Sequence, residues 1–250
     1  MARRQSLTSE ERAIYEWQLW ISDLGVAGQE KLKSASVLIT RVGGVGGQAA
    51  YQLAAAGIGK LILAHAGNIK SSDLNRQILM THAEIGQPRM RSIVRRLKDL
   101  NPRLEIDACD ENVSETNVAR LVAGADIIVD CAPRFEERFL LNRESVLQQK
   151  PLIEAAMFEL ELSLTTFIPG QTPCLACLYP EIPPHWRREF PVLGAVAGTV
   201  GCLAAMEVIK LICGIGQPLC GRMLLMDLGD MSFRTVTLKR NPQCAVCKTV

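Results

Sequence analysis

The sequence predicts an α/β protein with a doubly wound, mainly parallel sheet and antiparallel strands towards the C-terminus. Three observations carry this. Short apolar runs alternate with helical stretches as far as residue 157. A glycine-rich turn, TRVGGVGG (40–47), joins the first apolar run to an alanine-rich helix, the arrangement of a Rossmann-like fold. After residue 160 the apolar residues alternate with period two, as strands with two unlike faces require.

Residues 9–33 read as a helical arm, with Ser9 as N-cap and glutamates at the following positions. SVLIT (36–40) is the first strand, and GQAAYQLAAA (47–56) is a helix ending at Gly57. KLILAHA (60–66) follows as a strand. Pro88 opens a helix that runs to Leu100 and is stopped by Asn101-Pro102. LEIDAC (104–109) and DIIVDC (126–131) are strands, each followed by a helix, 115–123 and 135–148, and PLIEAAM (151–157) ends this half. LSLTTFI, MLLMDL and FRTVTLK are the antiparallel additions. VLGAVAGTVGCLAAMEVIKLICGIG is interrupted by Glu207 and Lys210 and reads as a buried Gly/Ala-rich helix, not a membrane span. YPEIPPHWRREFP (179–191) is the strongest loop. With no repeat, low-complexity tract or linker, residues 1–250 read as one domain, with an arm over about 1–33 and a C-terminal part over about 160–250.

The 250 residues are 48% hydrophobic and 22% charged, ordinary values for a globular chain with ample core. A net charge of +2, from 28 basic and 26 acidic residues, argues for neither nucleic acid nor an anionic membrane as partner. The N-terminal stretch lacks the apolar core of a signal peptide, so a cytoplasmic location is expected.

Four places carry chemistry. In the glycine turn, Gly43, Gly44, Gly46 and Gly47 are placed for backbone amides to approach a phosphate at a helix N-terminus; a tight βα turn with close packing is the alternative. The next strand ends in His65 and Gly67 with no carboxylate for a ribose, which disfavours a plain dinucleotide dehydrogenase. Cys174-Leu-Ala-Cys177 and Cys244-Ala-Val-Cys247 are two CxxC turns, and four thiolates suit a closed structural zinc site; two redox dithiols are the alternative. The other five of the nine cysteines (Cys109, Cys131, Cys202, Cys213, Cys220) read as core thiols. The cluster Asp73, Asn75, Arg76, Gln77 stands just after the second strand, where an arginine can clamp phosphate or simply be solvated at a helix cap. Arg89, beside Pro88 at a helix start, is placed to point back towards an anion.

In order along the chain, the glycine turn, NRQIL, IGQPR…LNP, DIIVDC…R…LN, PLIEAAM, GQTPCLACLYP, GAVAGTVGCLAAMEVIKLICGIGQPL and RNPQCAVC resemble the ThiF/MoeB/HesA superfamily, relatives of the ubiquitin-activating enzymes. RQILM, EAAM and PVLGAVAG look most like the HesA branch, which is associated with nitrogen fixation and assembly of molybdenum-containing cofactors. The resemblance implies an ATP-dependent adenylyltransferase, aided by Mg²⁺, that is a homodimer and activates a carboxylate, typically the C-terminal glycine of a ubiquitin-like sulfur carrier. On this reading Arg76, Arg89 and Asp130 are catalytic. Arg41, Gly43, Gly44, Gly46, His65, Asp73, Asn75 and Gln77 line the nucleotide site with Arg76 and Arg89, and Cys174, Cys177, Cys244 and Cys247 hold zinc.

The sequence departs from the family pattern at several charged positions. Arg41 stands for the first loop glycine, His65 for a ribose-binding aspartate, Asp73 for an asparagine, Pro133 for a metal-binding aspartate and Trp17 for an intersubunit arginine. Arg41 and Arg134 are expected to add positive charge near the phosphates, with Asp73, Asp130 and Glu154 as the remaining carboxylates for a cation. Two readings stay open: a HesA-like enzyme of metallocofactor assembly with a remodelled nucleotide site, and a non-catalytic protein that keeps the fold to dock a carrier or assembly protein.

Overall fold

A computed structural model describes residues 5–184 and 189–248. The sheet has eight strands in the order β3-β2-β1-β4-β5-β6-β7-β8. They are β1 (Ser36–Thr40), β2 (Lys60–Ala64), β3 (Glu105–Cys109), β4 (Ile127–Asp130), β5 (Leu152–Phe158), β6 (Glu161–Phe167), β7 (Arg222–Asp227) and β8 (Ser232–Thr237). The first five pair in parallel and the last three antiparallel.

The helices that cross between parallel strands cover both faces. These are α4 (Gly44–Ala56), α5 (Arg89–Leu100), α6 (Val118–Ala123) and α7 (Phe135–Leu147), numbered after three N-terminal helices, α1 (Ser9–Ile14), α2 (Glu16–Leu19) and α3 (Gly25–Ser34). Successive strand residues point to opposite faces. Val37 and Ile39 of β1 join one core with Leu61 and Leu63 of β2, whereas Leu38 and Ile62 join the other. A strand buried on both faces shows no alternation in its sequence, which is why SVLIT and KLILA read as continuous apolar runs.

Helix α9 (Gly194–Cys213), which follows the short α8 (Leu175–Leu178), packs on α3, α4, β5 and β6. It is long and apolar enough to cross a membrane by composition, but its apolar side is used inside the fold. Its small residues permit close approach to α4: a Cβ at Gly201 would stand 2.5 Å from the Val45 carbonyl oxygen. The charges that interrupt its apolar run are satisfied. Buried Glu207 accepts from Thr166 Oγ1 at 2.6 Å and the Leu219 amide at 2.7 Å and pairs with Lys210.

The structure corrects several boundaries. The arm is three helices, not one, because the chain breaks at Tyr15 and turns again over residues 20–24. Thr8, not Ser9, caps α1: its Oγ1 accepts from the Glu11 amide while Glu11 accepts from the Thr8 amide, a reciprocal capping box. Helix α4 begins at Gly44, three residues early, because the glycines themselves form its first turn. Of the expected loop 179–191, residues 185–188 lie outside the described residues. Cys202 is exposed, against the expectation of a core thiol, while Cys131 and Cys213 are buried.

Candidate functional site

The strand order reverses direction between β1 and β4, and a cleft of about 330 Å³ opens there at the C-terminal ends of the strands. Chain reversal at this point splays the two βα connections apart and leaves a crevice. The first turn of α4 forms one wall through Gly43, Gly44 and Val45. The amides of a first helical turn have no intrahelical acceptor and carry the positive end of the helix dipole. Gly46 lies beneath this wall, where a Cβ would stand 2.7 Å from the Arg41 carbonyl oxygen, so glycine is what lets α4 seat on the turn.

Arg41, Gly43, Gly44, His65, Arg76 and Gln77 are brought together around the cleft. Gly46, Asp73, Asn75, Arg89 and Asp130 are not among its lining residues. Arg41 keeps the left-handed backbone expected of the glycine it replaces, with φ 54°. Its guanidinium turns to Glu137 of α7 in a bidentate pair, with Nε to Oε2 at 2.8 Å. The charge expected to serve phosphates is thereby met by a carboxylate. Arg134 is exposed and does not line the cleft.

Asp73 is the hub of the neighbouring layer. Its Oδ2 accepts from Arg89 Nη2 at 2.6 Å and the Lys70 amide at 2.9 Å, and its Oδ1 from Gln77 Nε2 at 2.8 Å. Burial pushes its carboxyl up, but the Lys70 amide and Arg89 outweigh this and hold it below the usual range. Arg89 also donates to the Ala66 carbonyl at 3.1 Å, so it does not reach into the cleft. Arg76 does, anchored by the Ser72 carbonyl and by Asn75 Oδ1 at 3.0 Å.

Asp130 ends β4 with no exposed surface. Its Oδ1 accepts from the Ala132 amide at 2.8 Å, its Oδ2 has no partner, and burial pushes the carboxyl up to about 6. Glu154, one strand over, is bound by the buried Arg138, whose Nε donates to the Ala132 carbonyl at 2.7 Å. A magnesium site built from Asp73, Asp130 and Glu154 therefore does not fit: two of the carboxylates are engaged by arginines and the third is sealed from the cleft. Among the described residues the carboxylate that lines the cleft is Glu189.

Sequence reasoning missed Arg138, Glu189, Met157 and Phe190 as lining residues. Helical spacing offered a signal for Arg138, which stands three residues after Phe135 and three before Leu141, both inward-facing. Nothing local marks the others.

The second site lies where the segments after β6 and β8 meet. The Sγ atoms of Cys174, Cys177, Cys244 and Cys247 all lie within 4.8 Å of one another. Cys174–Cys244 is 3.7 Å and Cys177–Cys247 3.5 Å. A disulfide needs about 2.05 Å, whereas a tetrahedron with metal–sulfur bonds of about 2.3 Å has edges of about 3.8 Å. The donor set and spacing thus fit a tetrahedral thiophilic metal. Asn142 of α7 donates to Cys174 Sγ at 3.6 Å and accepts from the Leu175 amide at 2.8 Å, tying the cluster to the body.

An open α/β sheet with a glycine-rich helix start facing its switch-point cleft defines the Rossmann-like class whose crevice serves nucleotides. Within that class the chain belongs to the ThiF family, whose profile matches residues 15–246. It is 48% identical over 242 residues to the heterocyst protein HesA of Trichormus variabilis, covering 97% of this chain and 91% of that protein. It is 35% identical over 249 residues to the sulfur carrier protein adenylyltransferase of Thermus thermophilus, covering 96% and 92%. Among solved structures, E. coli MccB matches with a TM-score of 0.85 at 25% identity, over 96% of this chain and 74% of that one. E. coli MccB with ATP matches with a TM-score of 0.78 at 26% identity, over 89% and 69%.

Proposed function

We propose that this protein is an ATP-binding adenylyltransferase of HesA type with a remodelled nucleotide site. One observation carries the reading. The buried side-chain atoms left without partners among the described residues are His65 Nδ1, Gln77 Oε1 and Asp130 Oδ2; the first two belong to residues that line the switch-point cleft, and the third lies behind it. Buried polar atoms are rarely left unpaired, so their concentration here points to a ligand. The α4 N-terminus and Arg76 suit the phosphates of that ligand.

In the reaction an acceptor carboxylate oxygen attacks the α-phosphorus. The new oxygen–phosphorus bond forms as the bond to the bridging oxygen breaks, and pyrophosphate leaves with the electron pair. The amides of α4 and the Arg76 guanidinium stabilise charge on the phosphoryl oxygens as the transfer proceeds.

The acceptor is the C-terminal carboxylate of a ubiquitin-like sulfur carrier or a group on a metallocofactor-assembly protein. The likeness to HesA supports a setting in molybdenum-containing cofactor assembly linked to nitrogen fixation, in the cytoplasm and as a homodimer. The four cysteines hold structural Zn²⁺, since four thiolates close the coordination shell. Trp17, in place of the intersubunit arginine, is 77% exposed and rests on Trp20 at 5.2 Å between ring centroids.

ATP–pyrophosphate exchange with candidate acceptors, and Arg76→Ala as control, tests the reading. Exchange lost in the variant is expected; neither exchange nor ATP binding at millimolar nucleotide overturns it. A second reading, a docking protein without turnover, is favoured by the pairing of Arg41 with Glu137 and Arg89 with Asp73, which removes two cations from phosphate duty. Tight ATP binding with measurable turnover would rule it out.

A further inference from the structure

The carboxylates around the cleft are already engaged. Glu137 accepts from Arg41 at both oxygens, with Nε to Oε2 at 2.8 Å. Glu154 is buried and holds Arg138. Asp73 is filled at both oxygens, Oδ2 by Arg89 and the Lys70 amide and Oδ1 by Gln77. Asp130 has no exposed surface. The segments outside the described residues, 1–4, 185–188 and 249–250, contain no aspartate or glutamate. Glu189 is the acidic residue that remains in the lining, and it is exposed.

Magnesium needs near-octahedral oxygen ligands, and a protein commonly contributes one or two carboxylates beside the phosphates of a substrate. The ion pairs stand against this, because they occupy the carboxylate oxygens that a cation would use. Phosphate oxygens, in contrast, find donors without a metal. The first turn of α4 brings amides that lack intrahelical acceptors to the cleft wall. Arg76, whose side chain is 24% exposed, adds a guanidinium, and guanidinium groups match phosphate oxygens directly.

We propose that the cleft takes its nucleotide free of divalent cation: arginines have claimed the carboxylates that could hold one, and N–H donors alone meet the phosphates. This rests on the nucleotide reading of the cleft and names the ligand class more closely, as an uncomplexed nucleoside phosphate. Arg41 then acts by occupying Glu137, not by reaching the phosphates itself.

Calorimetric binding of ATP to the full chain, in excess EDTA and in excess Mg²⁺, tests this. The wild type is expected to bind ATP in EDTA at least as tightly as in Mg²⁺. Glycine suits the left-handed backbone at position 41, so Arg41→Gly frees Glu137 without straining the turn. This variant is expected to bind ATP about tenfold more tightly in Mg²⁺ than in EDTA, the scale of one contact to a charged group. Glu189→Gln is expected to keep the wild-type pattern. Tighter wild-type binding in Mg²⁺ overturns the inference alone, and its loss in Glu189→Gln would assign the cation to that residue. An Arg41→Gly variant indifferent to Mg²⁺ overturns the role given to the ion pair. If ATP binds in neither condition, the nucleotide reading falls and takes the inference with it. Should Arg41→Gly not fold, the wild-type comparison decides.

Discussion

The cysteine cluster and the switch-point cleft are two sites of one chain assembled in opposite ways. The cluster takes its four ligands from two short turns, and each CxxC spacing brings its own pair of sulfurs together. The cleft takes side chains from the ends of β1, β2, β4 and β5 and from α7, and what Arg41 and Arg138 do there depends on partners distant in sequence. Arg41 answers to Glu137, 96 positions on, and Arg89, outside the cleft lining, to Asp73, 16 positions back. The difference teaches that a site made of local turns survives as sequence pattern, whereas a site made of strand ends can be rewired by its neighbours without losing its glycines.

The largest expected effect falls on the cluster. Structural zinc in small sites contributes on the order of 10 kcal/mol of binding free energy, so, with the proposed zinc bound, Cys177→Ser or chelation is expected to release it and loosen the segments around 168–184 and 239–248. Elemental analysis and hydrogen exchange measure this; protection unchanged without metal would erase the contrast between the two sites. Next comes the buried pair behind the cleft. Removing one member of such a pair costs about 3–5 kcal/mol because the other charge is left alone, so Arg138→Ala should lower the urea midpoint strongly. The double change Arg138→Met, Glu154→Leu should recover much of the loss; no recovery would mean that the arginine's other contacts dominate.

Arg76→Ala is expected to reduce pyrophosphate exchange by about 100- to 1000-fold while leaving stability within about 0.5 kcal/mol. A stability loss of several kcal/mol would make Arg76 a structural residue like Arg138. The smallest effect concerns pH. The Asp130 carboxyl is raised from 3.8 to about 6 in the folded protein, so the folded state retains a proton that the unfolded chain has lost between these values. Its contribution is fully present below pH about 4 and is lost as pH rises through about 6, a change of up to about 3 kcal/mol. Asp130→Asn should therefore gain stability relative to wild type between pH 4 and 7. His65, lowered from 6.5 to about 4, works in the opposite sense, losing stability as pH falls through that window, and the comparison at fixed pH removes it. A pH-independent difference would show that Asp130 is ionised when folded.

Much of the fold was legible beforehand because its signals are local. SVLIT and KLILA are apolar on both faces, and GQAAYQLAAA stops at a glycine that is left-handed in the structure, with φ 86°. LSLTTFI, MLLMDL and FRTVTLK do form antiparallel strands, but not as half-covered ones: β6 is buried on both faces over its last four residues and β8 is exposed along most of its length. The helical arm was misread because its break depends on where Leu24 and Leu32 must reach the core, which no local rule specifies. In the site, residue types were legible and their partners were not. Arg41 was seen as a cation for phosphate, yet an ion pair with α7 claims it.

By itself the sequence determined the strand–helix alternation, the glycine turn, the two CxxC units and the departures at Arg41, His65, Asp73 and Pro133, since these are matters of residue type and spacing along the chain. Only the tertiary structure decided which charges face the cleft and which cancel. It pairs Arg41 with Glu137, Arg89 with Asp73 and Arg138 with Glu154, and it buries Asp130 with one oxygen unmet. The physical reason is that hydrogen bonding and burial set the state of an ionisable group, and both are properties of what surrounds it in space.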